Sequence, residues 1–121
     1  MDKLNIETLE GRSSFAPGET VQGTVQWNFG QDNPEAIEIS LFWRTTGKGT
    51  RDVGVVETVK FNNPGSLGQR DFSLKLPTGP YSFSGKLISI LWAVEAVAWA
   101  DEQTARQDIT VSPTGEEVVL K

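Results

Sequence analysis

Histidine and cysteine are both absent from the 121-residue sequence, and this limits the chemistry that the chain can perform. Histidine is the commonest general base and metal ligand in proteins, and cysteine supplies the thiolate nucleophile. Ser-His-Asp and Cys-His arrangements are therefore excluded, as are thiolate metal sites and stabilisation by disulfides. We predict that the chain is not an enzyme and that it uses no metal or other cofactor.

Three groups of residues still contain side chains that enzymes or metal sites use. The segment Thr46-Gly47-Lys48-Gly49-Thr50 lacks the spacing of a phosphate-binding loop, so a hairpin turn is the better interpretation. Glu57 and Glu95 interrupt apolar runs and could pair for glycoside hydrolysis, although solvent-facing strand positions explain both. No EF-hand spacing is present, so solvated turns are the simpler interpretation of a group that could hold calcium: Asp32, Asn33, Glu35, Asp101 and Glu102.

The net charge of −5 bears on the partners of the chain. Binding to nucleic acid or to an anionic membrane surface needs concentrated basic charge, so we expect neither. No run approaches the roughly 20 apolar residues of a membrane span, so we expect no membrane insertion. The first residues contain no apolar segment typical of a signal peptide, and a cytoplasmic location is expected.

Apolar and polar residues alternate along most of the chain, a pattern typical of strands that bury one face. The runs cover residues 4–6, 20–28, 36–45, 52–61, 71–76, 87–100 and 106–112. Phe42 is an exception on the polar face of its run. In the run 52–61 the alternation is less regular, because Glu57 interrupts an apolar set: Val53, Val55, Val59 and Phe61.

The segment 87–100 is almost continuously apolar, and its alanines would also suit a helix. A long strand is favoured, because alternate residues from Ile88 to Ala98 form one apolar face and no N-cap residue precedes the segment. Its second apolar face indicates a central strand or one that a partner covers.

Turn residues rich in Gly, Pro and Asn separate these runs, and no helical pattern is present. About seven short strands predict an all-β fold, an antiparallel β-sandwich. We expect a single domain over residues 1–112. Residues 113–121 form either an extra edge strand or a disordered tail.

Two segments resemble arrestin-like domains. Pro17-Gly18-Glu19, followed by Val21-Gln22-Gly23-Thr24-Val25, is similar to an early hairpin of that family. Leu76-Pro77, then Pro80, Ser82-Phe83, Gly85 and the strand from Ile88, is similar to its Leu-Pro, Pro-Ser-Phe and central strand. The resemblance implies an immunoglobulin-like antiparallel β-sandwich of about seven strands. It also implies an adaptor or scaffold domain like those of trafficking, signalling and bacterial sporulation control. Arrestins carry two such domains and this chain has room for one. No residue here can be matched to their phosphate sensor, so receptor binding is not carried over.

If consecutive strands reverse direction, alternate loops share an end of the sandwich. One end is then acidic, with Asp32, Glu35, Asp101 and Glu102. We expect the opposite, basic–aromatic end to contact an acidic segment of a protein partner. Its residues are Arg12, Phe15, Lys48, Arg51, Tyr81, Phe83 and Lys86.

Two further modes of binding remain open. An exposed edge strand could pair with a second copy of the chain or with a peptide strand. Alternatively, the chain is a carbohydrate-binding module whose sugar platform uses exposed aromatic residues, with Phe42 and Trp99 as the candidates.

Overall fold

The computed structural model describes residues 3–47, 52–80, 82–84, 88–99, 103–112 and 118–119. A 3-10 turn follows the first strand at Leu9–Gly11. The described strands are β1 (Leu4–Thr8), β2 (Ser14–Phe15), β3 (Thr20–Asn28), β4 (Ala36–Gly47), β5 (Val53–Asn62), β6 (Leu67–Lys75), β7 (Phe83–Ser84), β8 (Ile88–Ala98), β9 (Gln103–Val111) and β10 (Val118–Val119).

The strands form two sheets that pack face to face around one core. The smaller sheet has the order β1-β3-β6. The larger sheet has the order β10-β7-β8-β4-β5, with β9 also paired to β8 and β2 to β9. The described residues contain no α-helix, so the predicted all-β sandwich is confirmed. Within the tail, β10 pairs in parallel with β7 and adds a short strand to the larger sheet.

Strand β3 shows how the alternation of the sequence produces the core. Val21 and Val25 are fully buried, and Trp27 is nearly so, while the intervening polar residues face solvent. Gly23 lies on the same inward face, where the ring of Phe72 from β6 occupies the space that a side chain would need. Burial of this apolar set is the main stabilising contribution that the sheet makes.

Strand β8 is central, as its two apolar faces predicted. It pairs with β4 along its whole length and with β9 on its other side. The inward residues Trp92, Val94, Ala96 and Ala98 are all buried. The helical alternative for this segment is therefore wrong, because pairing on both edges satisfies the backbone of a strand.

A β-bulge in β5 corrects the expectation for the run 52–61. A register shift against β4 leaves Val56 without a partner in the ladder. Because one extra residue reverses the side to which the following side chains point, the apolar residues divide between two faces. Val59 and Phe61 pack against the core, whereas Val53 and Val55 lie on the outer face of the sheet.

Two tryptophans lie against glycines of the strands that border each sheet. Trp27 of β3 is paired with Gly68 of β6, and Trp43 of β4 with Gly54 of β5. Each indole occupies the space that a side chain at the glycine would fill, and at Gly68 an added Cβ would lie 2.6 Å from the Trp27 ring. The glycines therefore allow the large rings to cover strands at the margins of the sandwich.

Among the described residues there is no helix whose length and hydropathy would allow it to cross a membrane.

Candidate protein-interaction surface

The basic–aromatic end is described only in part. Arg12, Phe15 and the backbone of Phe83 lie within the described residues, whereas Lys48, Arg51, Tyr81, Lys86 and the Phe83 side chain lie outside them. Hydrogen bonds connect the described parts of its loops, as Gly18 donates to the carbonyl of Pro77 over 3.1 Å.

Arg12 is already engaged within the chain. Its guanidinium donates to both carboxylate oxygens of Glu19, at 2.8 and 2.6 Å, and lies 4.5 Å from the ring centroid of Phe15. The hydrogen bond from Arg12, together with one from the backbone N–H of Ala16, lowers the pKa of Glu19 below its ordinary value. A partner would therefore have to compete with Glu19 for this arginine.

Phe15 is a core residue in the structure. Its side chain is only 2% exposed, and β2 holds it beside Val111 of β9. In the sequence Phe15 resembled an aromatic residue of a loop, because the strand that contains it is only two residues long and lies between turns. Phe15 consequently supports the loop that carries Arg12, and its ring is not available to a partner.

The strongest candidate for an interaction surface is β5, the outermost strand of the larger sheet. It pairs with β4 on one side only, so its other edge leaves backbone N–H and C=O groups without ladder partners among the described strands. Val53 and Val55 are 65% and 62% exposed. The segment 53–56 contains only valine and glycine, so it lacks the charged residues that commonly protect an edge from pairing.

Apolar residues extend from this edge onto the outer face of the larger sheet. Cross-strand pairs form two neighbouring rows over β5, β4 and β8: Val55–Phe42–Ala93 and Val53–Arg44–Leu91. We call Val53, Val55, Phe42 and Leu91 the apolar strip. Arg44 lies within it, half-buried, and forms no ion pair with any described residue. Beside it, a shallow cavity of about 420 Å³ is lined by Arg44, Thr45, Thr46, Gly47, Asp52 and Val53.

The edge of the smaller sheet that faces the same side is protected, in contrast to β5. The carboxylate of Glu57 accepts a hydrogen bond from the backbone N–H of Lys75 over 2.7 Å. The guanidinium of Arg70 lies 5.3 Å from the ring centroid of Phe61. These contacts fasten β6 to the second half of β5 and leave the first half of β5 exposed.

The two carboxylates considered for hydrolysis lie on opposite faces of the larger sheet. Glu57 is paired with Leu41, which faces the core, and Glu95 with Ser40, which faces outward. Glycosidases place both carboxyl groups around one bond, roughly 5–10 Å apart on the same side of a cleft. The pairing of Glu57 and Glu95 in a hydrolytic site is therefore incompatible with this sheet.

The aromatic residues proposed as a sugar platform do not lie together. Trp99 is bonded to Ala36 at the start of β4, whereas Phe42 lies six residues further along the strand, about 20 Å away at roughly 3.3 Å per residue. Trp99 is 46% exposed, and Phe42 is half-buried within the apolar strip. Each would have to act in a separate site.

The acidic end is also described in part. Asp32 and Glu35 lie within the described residues, and Asp101 and Glu102 lie outside them. No group of three or more acidic residues that could hold a metal ion occurs in the part of the chain that the structure describes.

Sequence reasoning missed the exposure of β5. The irregular alternation around Glu57 was the available signal, since a bulge reverses the phase of a strand. The identity of the unpaired residue, Val56, becomes evident only from the pairing with β4.

Comparison with known proteins shows the fold. No family model and no curated protein matches the chain. It is similar to the solved structure of Spo0M, a sporulation control protein from Bacillus subtilis, with a TM-score of 0.62 and 22% identity. The alignment covers 93% of this chain and 50% of the Spo0M chain, so the chain spans about half the length of that protein. The likeness shows that the sandwich is of the arrestin-like type, as predicted.

Two other solved structures are more distant. A CARDB domain from Pyrococcus furiosus, solved in complex with di-metal ions, has a TM-score of 0.51 and 11% identity over 90% of this chain and 85% of that one. A superoxide reductase from Ignicoccus hospitalis has a TM-score of 0.48 and 15% identity over 91% and 80%. At 11% identity, the likeness to the CARDB domain shows the fold alone.

Proposed function

We propose that this chain is a non-catalytic protein-interaction module, an adaptor, that adds an extended segment of another protein to the free edge of β5. The observation that carries the proposal is the exposure of Val53 and Val55 on a strand that pairs on one side only. Backbone hydrogen bonds to β5 would provide affinity, and alternate side chains of the added strand would provide specificity.

The apolar strip indicates the chemistry of that segment. Alternate residues of an added strand fall on the outer face beside Val53 and Val55, and apolar side chains there would extend the strip. Arg44 lies in the same row as Val53, and Arg51 precedes that valine by two residues in the sequence. An acidic residue in the segment would meet this positive charge, which sets register and orientation more than affinity.

The non-catalytic part of the proposal is supported by the composition of the chain and by the positions of two carboxylates. The sequence contains no histidine or cysteine, and the remaining carboxylate pair, Glu57 and Glu95, is divided between two faces of one sheet. The two rows of residues beside the free edge of β5 contain valine, phenylalanine, alanine, leucine and arginine side chains, which suit binding and include no carboxylate that could act as a general acid or base.

The test is a selection of displayed random peptides against the unaltered domain alone, after which the affinity of the selected peptides is measured for the unaltered domain and for Val55→Lys. A lysine at this edge position opposes strand addition, because it places a charge where the added strand would pack. We expect peptides with alternating apolar residues and at least one acidic residue. Their affinity for Val55→Lys should fall about tenfold or more, equivalent to about 1.4 kcal/mol.

The matched control is Thr104→Lys, which adds the same charge to the same outer face at an exposed position of β9. It should bind the selected peptides as the unaltered chain does. Selected peptides that bind Val55→Lys and the unaltered chain equally would refute strand addition at β5. Sedimentation velocity of both variants shows separately whether a second copy of the chain occupies the edge, as a homodimer through β5 would be lost in Val55→Lys alone.

A further inference from the structure

Trp99 is an exposed aromatic residue on a rigid part of the backbone. The backbone N–H of Trp99 donates to the carbonyl of Ala36 over 2.9 Å, and the backbone carbonyl of Trp99 accepts a hydrogen bond from the backbone N–H of Glu35 over 3.2 Å. These bonds continue the β4–β8 ladder beyond the end of β8. The indole is nevertheless 46% exposed, which is unusual for so large an apolar group held in a fixed position.

The indole forms one wall of a shallow hollow at this end of the outer face. The hollow has a volume of about 540 Å³, within the range of roughly 300–1,000 Å³ that ligand sites occupy. Its lining consists of Glu35, Ala36, Lys60, Asn62, Asn63 and Trp99. Ala36 is only 4% exposed although it lies on the outer face, so it forms the floor between its neighbours.

The backbone at three of the polar lining residues, Glu35, Asn62 and Asn63, is fixed by hydrogen bonds and strand pairing. Asn62 is the register partner of Ala36 in the β4–β5 ladder. Asn63 follows it in the left-handed backbone region, with φ of 51°, and its N–H donates to the carbonyl of Glu35 over 2.9 Å. Among the described residues, the lining therefore contains two amides, one carboxylate and one ammonium group beside a single indole, and no second large apolar side chain.

This combination suits a sugar ring. A pyranose has one face of C–H groups that can lie on an indole and a rim of hydroxyl groups that both donate and accept hydrogen bonds. Amides also donate and accept, an ammonium group donates and a carboxylate accepts, so all four rim groups match hydroxyls. A protein hot spot would instead be expected to surround the tryptophan with further apolar contact. One positive and one negative side chain in the rim favour a neutral ligand.

We propose that the Trp99 hollow is a binding site for a pyranose unit of a neutral saccharide. The indole stacks on the C–H face of the ring, and Asn62, Lys60 and Glu35 bind its hydroxyls. The site lies at the opposite end of the outer face from the apolar strip, so it is independent of peptide binding at β5.

The test is a titration of the ¹⁵N-labelled chain with cello-, malto-, manno- and chito-oligosaccharides at millimolar concentration, followed by NMR. The indole N–H resonance of Trp99 is assigned by its loss in Trp99→Phe. We expect at least one saccharide to shift this resonance saturably. Trp99→Ala should weaken that binding about tenfold or more, Asn62→Ala several-fold, and Trp99→Phe less than Trp99→Ala because an aromatic face remains.

The control is Leu67→Ala, which removes another exposed apolar side chain, 70% exposed, from the smaller sheet. It should bind the saccharide unchanged, and backbone spectra show that every variant is folded. The proposal is overturned if no saccharide in the panel shifts the Trp99 resonance, or if Trp99→Ala binds as tightly as the unaltered chain.

Discussion

The contact between Trp27 and Gly68 gives the most direct test of how this sandwich is packed. Trp27 is 4% exposed, and its indole N–H donates to the carbonyl of Gly65 over 3.0 Å. In Gly68→Ala, the new Cβ would lie 2.6 Å from one ring carbon and 3.0 Å from another. The ring is a rigid body within a packed core, so the indole has to move as a whole.

Two losses and one gain determine how much Gly68→Ala changes the free energy of unfolding. Displacement of a packed side chain by an added methyl group costs about 1–3 kcal/mol. The hydrogen bond to Gly65 is strained or lost when the indole moves, which adds about 0.5–1.5 kcal/mol. Alanine has less conformational freedom than glycine in the unfolded chain, and this difference offsets about 0.4–1 kcal/mol of the loss. We therefore predict a net loss of about 0.5–4 kcal/mol, centred near ~2 kcal/mol, against the ~5–15 kcal/mol typical of a domain.

The assay is urea denaturation of a double-mutant cycle, followed by circular dichroism. Trp27→Phe removes the part of the ring that lies over Gly68, so Gly68→Ala should cost at least 1 kcal/mol less, by rough estimate, in that background. Ser73→Ala, at an exposed position of the same strand, should change stability by less than about 0.5 kcal/mol. A cost of Gly68→Ala that is equal in both backgrounds would refute the proposed contact with the indole.

Three other predictions concern polar contacts and charge. Glu19→Gln should lower stability by about 0.2–1 kcal/mol at neutral pH. Since the pKa of Glu19 is lowered in the folded chain, the difference should close as pH falls below 4.5, and a gap that persists in acid urea melts would contradict it. Gln107→Ala removes the acceptor of the buried Thr8 N–H, and a loss of about 1–3 kcal/mol is expected in equilibrium denaturation. Reversing Lys48 and Arg51 to Glu should weaken binding of the selected acidic peptides, measured by calorimetry, and unchanged affinity in a folded variant would contradict this.

The order of apolar and polar residues was sufficient to predict two kinds of strand. One kind has an apolar face and a polar face, and the other is apolar on both faces. The run 20–28 became β3 and the run 87–100 became β8, because cross-strand pairing on both sides reinforced the local pattern. Pattern alone could not reveal which polar contacts a loop makes. Arg12 resembled a free cation in the sequence, but one nitrogen of its guanidinium donates to both carboxylate oxygens of Glu19.

The candidate sites were harder to predict than the fold, since they depend on which strands lack neighbours. Phe42 and Trp99 were both identified as aromatic residues out of phase with the core. The order of strands in the sheet separates them by about 20 Å at roughly 3.3 Å per residue and gives each a different environment. The alternation of the sequence therefore identified the two residues, while the order of the strands determined that they belong to two surfaces.

The bulge at Val56 connects the fold to the proposed function. Without the extra residue, Val53 and Val55 would follow the phase of Val59 and face inward. With it, they lie beside Phe42 on the outer face, next to an edge that has no neighbouring strand among the described residues. A bulge is a local departure from regular pairing that costs ladder hydrogen bonds, and such features are found where a strand must redirect its side chains. Here the redirected side chains form the apolar strip, so the irregularity in β5 and the surface that it exposes have one physical origin.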